Sequence, residues 1–425
     1  MPKPINMIGI ETRNIMDLSS NIAIYITNTD NKRHLIDSII SGDTIVHLKG
    51  LKGALFSEIT VNKFIEEERR HGHFDVKTTT KNSLEHSSSG ERKKALLAHL
   101  ISSKPQYIIV DNVFDNLDVK SQHDIVNTLK QLSKHTIIVQ IANRKHDILS
   151  FIKSIYRLKD RSLFLIKDFE GPKNGVKKNF MASIPKPSHQ MAPDINPLVK
   201  FNNITVAYGD RTIVKDITWE INKGEFWQLL GPNGSGKSTL LSLITGDNVK
   251  AYHQDITLFG VKKGSGESVW DIKKKMGYLS TELLRGFSRL DSIGNMIASG
   301  FFDTIGLYQT PTFEQIEIAR QWLHVLGMFE IRKQPFLSLS SGHQRLVLIA
   351  RAMVKHPPLL ILDESTTGLD DNDVALFSEL INKIASECDT AILYVSHRKE
   401  LGLNPDYMYQ LTPHRMGSRG KKVNM

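Results

Sequence analysis

The sequence predicts an α/β fold built from two similar halves in tandem, and three observations carry this prediction. An apolar run at 226–230 is followed by a glycine-rich loop and then by an apolar stretch with helical spacing. The same order of segments begins near residue 22, and later segments of the two halves match as well. A chain of 425 residues is long enough for two or three domains, each with its own core.

The composition is that of a globular protein, with 40% hydrophobic and 24% charged residues. No apolar run approaches the roughly 18 residues of a membrane span, and the N-terminus lacks the pattern of a secretory signal. The single Cys388 cannot form an internal disulfide, which favours a reducing compartment. We therefore expect a cytoplasmic protein, peripheral at the inner face of the cell membrane if its partners lie there. The net charge of +10 is weak evidence for an anionic partner.

Residues 231–238, GPNGSGKS, match the phosphate-binding pattern G-x-x-x-x-G-K-[ST] in the required context of strand, loop and helix. Glycines leave backbone N–H groups free to surround phosphate oxygens, and the positive end of the following helix faces the same anion. We expect Lys237 to reach the β- and γ-phosphates and Ser238 to offer its hydroxyl to Mg²⁺.

The corresponding segment of the first half, TNTDNKRH at 27–34, has lost all three loop glycines. Thr27 aligns with Gly231 (231 − 27 = 204), and the register holds through the following helix-like stretch. Asp30 places a negative charge where phosphate would sit, and Arg33 replaces the lysine. We predict that this loop does not bind nucleotide in the usual way, and altered binding is the alternative.

A serine- and glycine-rich segment that precedes a helix-like run also occurs twice, at 88–91 and 340–343. Each is followed by an apolar strand, which ends at Asp111 or Asp363, and the offset is constant (342 − 90 = 363 − 111 = 252). Constant spacing indicates an internal repeat. The offset grows by 252 − 204 = 48 residues between loop and serine-rich segment, so the first half has the smaller insert.

Four further side chains of the second half suit nucleotide chemistry. Asp363 ends its strand and is placed to hold Mg²⁺, while Glu364 beside it can orient and polarise an attacking water. His397 follows an apolar strand and could contact the γ-phosphate. Tyr208, just upstream of the loop, could stack on a nucleobase, and core packing is its alternative role.

The predicted domains are a degenerate first domain at 1–169, a linker at 170–197 and a complete second domain at 198–425. The linker is rich in Pro, Lys and Gly and is expected to be a solvated tether. The insert at 51–83 is expected to be a solvated polar helix and loop, because its histidines match no metal-ligand spacing. The C-terminal HRMGSRGKKVNM is expected to be a frayed basic tail.

Together these motifs resemble the ATP-binding cassette (ABC) family, and the resemblance covers both halves. The stretches DITLFGVKKGSGESVWDIKKKMGYLS, GFFDTIGLYQ and AMVKHPPLLILDE are similar to tandem cassettes of the molybdenum-transport and photorepair (ModF/PhrA-like) type. The resemblance implies two P-loop NTPase domains, each with a mixed sheet and a helical subdomain, the first one shortened. It also implies ATP and Mg²⁺ as ligands.

In this family ATP lies between the P-loop of one cassette and the serine-rich signature of the other, so the resemblance implies one complete composite site. The implied catalytic residues are Glu364, His397 and Lys237. The implied nucleotide-binding residues are Tyr208, Gly231, Pro232, Asn233, Gly234, Ser235, Gly236, Lys237, Ser238, Thr239, Ser88, Ser89, Gly90 and Glu91. The implied Mg²⁺ ligands are Ser238, Asp363 and Thr281.

The chain departs from the family at three positions. Thr281, or alternatively Ser280, stands where the family has the glutamine that contacts Mg²⁺ and water, and Glu282 is a candidate substitute. Asn112 aligns with Glu364 and cannot act as a general base. His343 replaces the usual signature glutamine. The second composite site is therefore expected to hydrolyse ATP poorly.

The expected function is ATP hydrolysis at one composite site that energises an importer for molybdate or a related solute, with separate permease subunits as partners. The alternative is a soluble cassette pair acting on the ribosome or nucleic acid. A short, proline-containing linker and Asn112 disfavour that alternative, because translation factors of the ABC-F class have a long charged linker and normally keep both carboxylates. The cassette pair is intramolecular, so a monomer suffices for catalysis.

Overall fold

The chain divides into two compact units in a computed structural model. The first unit comprises residues 1–175 together with 368–372, and the second comprises 176–367 and 373–425. The structure describes residues 21–72, 75–78, 83–115, 117–159, 162–166, 180–187, 195–280 and 291–424.

The N-terminal part of the first unit alternates strands and helices. Its described helices are α1 (Lys32–Ile40), α2 (Glu58–His71), α3 (Ser89–Ser102) and α4 (Val119–Leu132). Its described strands are β1 (Ile22–Tyr25), β2 (Gly53–Phe56), β3 (Tyr107–Asp111), β4 (Ile137–Ala142), β5 (Ser154–Lys159) and β6 (Ser162–Leu165).

These six strands form one mixed sheet in the order β2-β3-β4-β1-β5-β6. All neighbours are parallel except β5 and β6. Both faces of the sheet are covered, because alternate residues of β3 enter two different apolar clusters: Ile108 and Val110 enter one, and Ile109 enters the other. A parallel sheet buried on both faces explains why these strands read as continuous apolar runs.

From residue 195 onward the chain forms further helices and strands. The described helices are α5 (Lys237–Ile244), α6 (Val269–Lys273), α7 (Ile293–Ala298), α8 (Phe313–Val325), α9 (Ser341–Met353) and α10 (Asp371–Glu387). The described strands are β7 (Val199–Tyr208), β8 (Arg211–Ile221), β9 (Phe226–Leu230), β10 (Ile256–Leu258), β11 (Val261–Lys262), β12 (Met276–Ser280), β13 (Leu359–Asp363), β14 (Ala391–Ser396), β15 (Tyr407–Thr412) and β16 (Arg419–Asn424).

The second unit has a six-stranded sheet in the order β12-β13-β14-β9-β15-β16, parallel except for β15 and β16. This order and these directions repeat those of the first sheet strand by strand. A separate antiparallel sheet, β11-β10-β7-β8, adds to it. Trp219 of β8 stacks on Tyr409 of β15 with ring centroids 4.5 Å apart, which joins the two sheets of this unit. The predicted tandem α/β fold is confirmed.

The repeat extends to unusual backbone conformations. Asn112 and Glu364 directly follow their strands with φ angles of 42° and 45°. Each donates its backbone N–H to the neighbouring strand, Asn112 to the Ile141 carbonyl at 3.3 Å and Glu364 to the Val395 carbonyl at 2.9 Å. A left-handed backbone conformation is more strained for glutamate than for asparagine. The surrounding sheet must therefore hold Glu364 in this conformation.

Two expectations about polar segments are wrong in their described parts. The C-terminal residues are not a frayed tail, because Arg419–Asn424 pair with β15 along its whole length. The predicted solvated linker is partly packed, because Phe180 and Ile184 are buried. The backbone N–H of Ile184 donates to Glu387 of α10 at 2.9 Å.

The insert of the first half contains more than a solvated helix. It forms β2 and the amphipathic helix α2, which buries Val61 and Ile65. His71 and His86 are exposed, and His73 lies outside the described residues. Among the residues described, no group of three or more His, Cys, Asp or Glu side chains is placed to hold a metal ion. The described helices also include none long and apolar enough to cross a membrane.

Gly300 lies where the chain passes α9 at close range, and we predict that Gly300→Ala destabilises the second unit. An added Cβ would lie 2.0 Å from the Arg351 carbonyl oxygen, so the two segments must separate at a cost of about 1–3 kcal/mol. Gly294 of α7 is the control, because an added Cβ there meets its nearest atom at 3.5 Å and alanine favours the helix by roughly 0.5–1 kcal/mol.

Thermal unfolding midpoints of the two variants test this packing. We expect a lower midpoint for Gly300→Ala and an unchanged or higher one for Gly294→Ala. A Gly300→Ala protein as stable as the wild type would show that the close approach is absent.

Candidate functional site: a phosphate-binding loop beside strand-end carboxylates

The glycine-rich loop connects β9 to α5, and its backbone needs glycine at two points. Gly234 and Gly236 adopt φ angles of 76° and 96°, which side chains disfavour. A Cβ on Gly236 would also lie 2.5 Å from Val214 of β8. The loop is therefore shaped by conformation and by close packing, as a cradle for phosphate requires.

Two features of the loop leave donors available to an anion. Gly236 is the N-cap of α5 and has no side chain to bond the first N–H groups of the helix. Ser235 is fully buried, and its hydroxyl has no hydrogen-bond partner within the described residues. A buried unpaired hydroxyl is costly, so a bound phosphate oxygen at this point would remove a penalty. The loop thus fits a phosphate ligand.

Lys237 is held over this loop. Its ammonium donates to the carbonyl oxygens of Gly231 at 2.7 Å and Pro232 at 3.2 Å, and the side chain is only 7% exposed. Both acceptors belong to the loop itself, so the positive charge is positioned at the cradle before any ligand arrives.

The acidic residues reach the same edge because their strands are parallel. The register pairs Ser280 with Asp363, Asp363 with Val395, and Ser396 with Leu230, so four strand ends lie side by side with the loop. Ligands of parallel α/β sheets bind at the carboxyl ends of the strands. The Tyr278 hydroxyl lies 3.4 Å from one carboxylate oxygen of Asp363.

Glu364 and His397 form a pair at this edge. The His397 Nδ1 and Glu364 Oε1 atoms are 3.5 Å apart, and His397 is 8% exposed. His397 lowers the pKa of Glu364 and outweighs the opposing effect of burial, with smaller contributions from Lys237 and Arg398. Glu364 therefore stays ionised, which a proton acceptor requires.

Tyr208 ends β7 with 48% of its surface exposed, which argues against a core-packing role. Its hydroxyl accepts a hydrogen bond of 2.9 Å from Asn248, which also donates to Ser242 of α5. Base stacking by Tyr208 stays a prediction. The sequence pattern did not single out Asn248, because its contacts join segments forty residues apart.

The signature segments cap helices in their own units. Ser88 is the exposed N-cap of α3, and its hydroxyl donates to Glu91 at 2.8 Å in a capping box. Ser340 caps α9 and lies 2.8 Å from His343 Nδ1. A Cβ on Gly90 would lie 2.8 Å from the Ser121 hydroxyl, so this glycine allows α3 to pack on α4.

Two predicted positions and one unpredicted residue complete the picture. Thr281 and Glu282 lie outside the described residues. Arg345 of α9, which sequence reasoning missed, is buried and its guanidinium donates to the Ser365 carbonyl and to the Thr367 carbonyl. It thereby fixes the segment that follows Glu364, a contact that no local pattern signals.

The loop at 27–34 bonds several of its own donors. The Asp30 carboxylate accepts the Thr27 backbone N–H at 2.7 Å, so a loop donor is already taken. Asn31 caps α1 and accepts from the His34 N–H at 3.0 Å, unlike Gly236 at the start of α5. These two backbone donors of the first unit are therefore bonded within the loop itself.

Comparisons with known proteins agree with this geometry. The ABC transporter family profile matches residues 214–367. The ABC transporter ATP-binding protein ModF of Escherichia coli is 39% identical over 335 residues, which are 74% of this chain and 67% of that protein. An uncharacterised ABC transporter ATP-binding protein of Schizosaccharomyces pombe is 29% identical over 75% of this chain and 66% of its own length. The chain thus spans about two thirds of the length of these relatives.

Among solved structures, an archaeal ribosome recycling factor in complex with a ribosomal stalk protein has a TM-score of 0.61. It is 14% identical and covers 96% of this chain and 86% of its own, a level of identity that shows the fold alone. With the P-loop, the strand-end carboxylates and the 39% identity to ModF taken together, the chain belongs to the ABC family of ATP-binding proteins, whose members hydrolyse ATP.

Proposed function

We propose that this chain hydrolyses ATP at one complete site, composed of the second-unit loop and the first-unit signature, and that hydrolysis energises an importer. The observation that carries the proposal is the contrast between the two loops. The loop at 231–238 has a buried Ser235 hydroxyl with no hydrogen-bond partner among the described residues, and an ionised Glu364 lies nearby. The loop at 27–34 has satisfied donors, and Asn112 follows its strand.

Each residue of the second-unit site has its own role in phosphoryl transfer. The loop N–H groups and Lys237 hold the phosphates and offset the charge that develops on them. Glu364 accepts the proton of the attacking water at its carboxylate, and His397 keeps that carboxylate ionised and oriented. Ser238 and Asp363 would hold Mg²⁺, which supplies further charge neutralisation when bound.

The signature of the first unit suits the role of a cap on the γ-phosphate. Ser88 is exposed at the N-terminus of the 14-residue α3, where the helix dipole and backbone N–H groups favour an anion. Glu91 now bonds the Ser88 hydroxyl and N–H, so its carboxylate must release them when phosphate takes their place.

Importer function is favoured over ribosome or nucleic-acid action by the level of similarity. The transporter protein ModF is 39% identical, whereas likeness to the ribosome recycling factor rests on 14% identity and supports the fold alone. We infer permease subunits as partners, and molybdate or a related oxyanion as the solute. The chain contains both cassettes, so a monomer suffices for hydrolysis.

Glu364→Gln is expected to lower ATP turnover by about 10²- to 10⁴-fold, because an amide cannot accept the proton of water. ATP binding should persist, since the loop and Lys237 are intact. Asn112→Gly is the matched control in the first unit, because glycine tolerates the same φ angle of 42°.

Steady-state turnover and nucleotide affinity separate these variants. We expect Asn112→Gly to keep near wild-type turnover. Equal losses in both variants would contradict the assignment of hydrolysis to the second-unit carboxylate.

Ser88→Arg tests the composite site, because a bulky cation at the α3 N-cap blocks the approach of a γ-phosphate. We expect turnover to fall to the level of Glu364→Gln, while the control Ser340→Arg in the second signature retains activity. Full activity of Ser88→Arg would contradict the composite site. The second-unit loop would then need a signature segment from another chain.

Addition of ribosomes to the turnover assay tests the alternative function. We expect no stimulation, because the importer proposal gives the ribosome no role. Stimulation by ribosomes, absent with Glu364→Gln, would favour the translation or repair class instead.

A further inference from the structure

A polar side chain lies in the middle of the strand that leads into the phosphate-binding loop. Strand β9 has the sequence FWQLL, in which Gln228 is the only polar residue. Gln228 is 3% exposed and lies between β14 on one side and β15 on the other. A buried amide is costly unless its groups are hydrogen-bonded, so the partners of this side chain decide what it contributes.

The Gln228 amide bonds two groups that flank His397 in the chain. Its Nε2 donates to the Ser396 hydroxyl at 2.9 Å and to the Arg398 carbonyl at 3.1 Å. Because the Ser396 hydroxyl donates its own proton to that carbonyl at 2.6 Å, the Gln228 atom that faces both groups must be the amide nitrogen. The three groups form a buried hydrogen-bonded triangle around the turn that carries His397.

His397 depends on this turn for its position. Neither of its ring nitrogens has a hydrogen-bond partner among the residues that the structure describes, although Nδ1 lies 3.5 Å from Glu364 Oε1. The backbone N–H of Glu364 donates to the Val395 carbonyl at 2.9 Å, which ties Glu364 to β14 two residues before His397. The distance between the two side chains is therefore set by how the chain after Val395 is held.

The first sheet keeps the strand pairing and lacks the triangle. The pairings of the two sheets correspond when the strand-end residues Asp111 and Asp363 are matched, a register one residue away from the alignment of the loop sequences. In this register the places of the amide and of the hydroxyl are taken by Ala23 and Ala142, both buried. The histidine is replaced by Asn143 there. The triangle thus accompanies the histidine.

We propose that Gln228 is a positioning residue for His397: its amide, together with the Ser396 hydroxyl, fixes the turn so that the imidazole stays beside Glu364. This inference rests on the proposed role of the Glu364–His397 pair in hydrolysis. Gln228 precedes Gly231 by three residues, so one side chain ties the strand that enters the phosphate loop to the turn that carries the histidine. All of these residues belong to the second unit.

Gln228→Leu removes the amide and nearly keeps the size of the side chain. We expect kcat for ATP hydrolysis to fall about tenfold, because His397 loses its fixed position beside Glu364. KM for ATP should be unchanged, because the loop and Lys237 still hold the nucleotide. Wild-type kcat in a folded Gln228→Leu protein would overturn the proposal.

Gln140→Leu is the matched control in the first unit. Gln140 of β4 is 2% exposed, and its amide donates to the Asp147 carbonyl at 2.7 Å and accepts from the Leu149 N–H at 2.8 Å. The substitution therefore removes a buried amide with two backbone partners, as Gln228→Leu removes one with two partners. We expect it to lower the thermal midpoint and to leave kcat unchanged.

A double-mutant cycle with His397→Gln separates positioning from general destabilisation. Single-turnover rates are measured for both single variants and for the double variant. If Gln228 acts through His397, Gln228→Leu should lower the rate by less than about twofold once the histidine is absent. A further tenfold loss in the His397→Gln background would show that Gln228 acts elsewhere and would overturn the proposal.

Ser396→Ala tests the same triangle with a smaller change, one whose product the first sheet already holds at Ala142. We expect kcat to fall by about threefold with KM for ATP unchanged, since one of the three bonds to the turn remains. Combination with Gln228→Leu should give no greater loss than Gln228→Leu alone. Independent, multiplying losses would contradict a shared triangle.

Hydrogen exchange of the peptide covering residues 395–400, without nucleotide, gives a readout that does not need turnover. We expect about tenfold faster exchange in Gln228→Leu than in the wild type or in Gln140→Leu. A wild type that does not hydrolyse ATP would contradict the proposed function. Faster exchange would in that case still support the role of Gln228 in holding the turn, and unchanged exchange would overturn it.

Discussion

The site depends on one constraint: a loop that is to hold a phosphate chain must direct backbone N–H groups towards it. The loop after β9 meets this constraint with glycines at φ angles of 76° and 96° and with a helix whose N-cap has no side chain. Such a loop is costly by itself, because the buried Ser235 hydroxyl has no hydrogen-bond partner among the residues that the structure describes. The sheet stabilises it by placing β9 between β14 and β15. A ligand that bonds such a group would remove the free-energy cost of leaving it without a partner.

The first unit shows what happens when the same framework loses this requirement. Its sheet keeps the strand order, and Asn112 keeps the left-handed backbone of Glu364. Asp30, Asn31 and Lys32 satisfy locally the groups that a nucleotide would satisfy. Fold and activity are therefore separable here: strand pairing and core packing preserve the architecture, while a few polar residues decide whether the loop is a binding site.

Much of this arrangement could be predicted from sequence because its signals are local. The loop pattern, the apolar strands and the carboxylates at their ends all lie within a few residues of one another, and a constant offset relates the two halves. The ion pair between Lys32 and Asp111 was not predictable in this way. Alignment puts Arg33 in the place of the lysine, but α1 begins at Lys32, and one residue along a helix turns a side chain by about 100°.

Other features depend on contacts between distant segments. Phe180 and Ile184 lie in a polar, proline-rich stretch, and they are buried where the Ile184 backbone N–H bonds Glu387 of α10. The basic strand β16 has no alternating apolar pattern, and pairing with β15 alone makes it a strand. In the sequence, Arg345 likewise looks like an ordinary helical residue. Only the structure shows that it donates to the carbonyls of Ser365 and Thr367.

The most direct test of a single functional site is the number of ATP molecules bound per chain in the hydrolysis-deficient Glu364→Gln protein, measured by equilibrium dialysis with Mg²⁺ and saturating ATP. One ATP per chain, lost on addition of Lys237→Ala, is the predicted result. Two ATP per chain, or one that survives Lys237→Ala, would show that the loop at 27–34 binds nucleotide and would contradict the assignment of the site to the second unit.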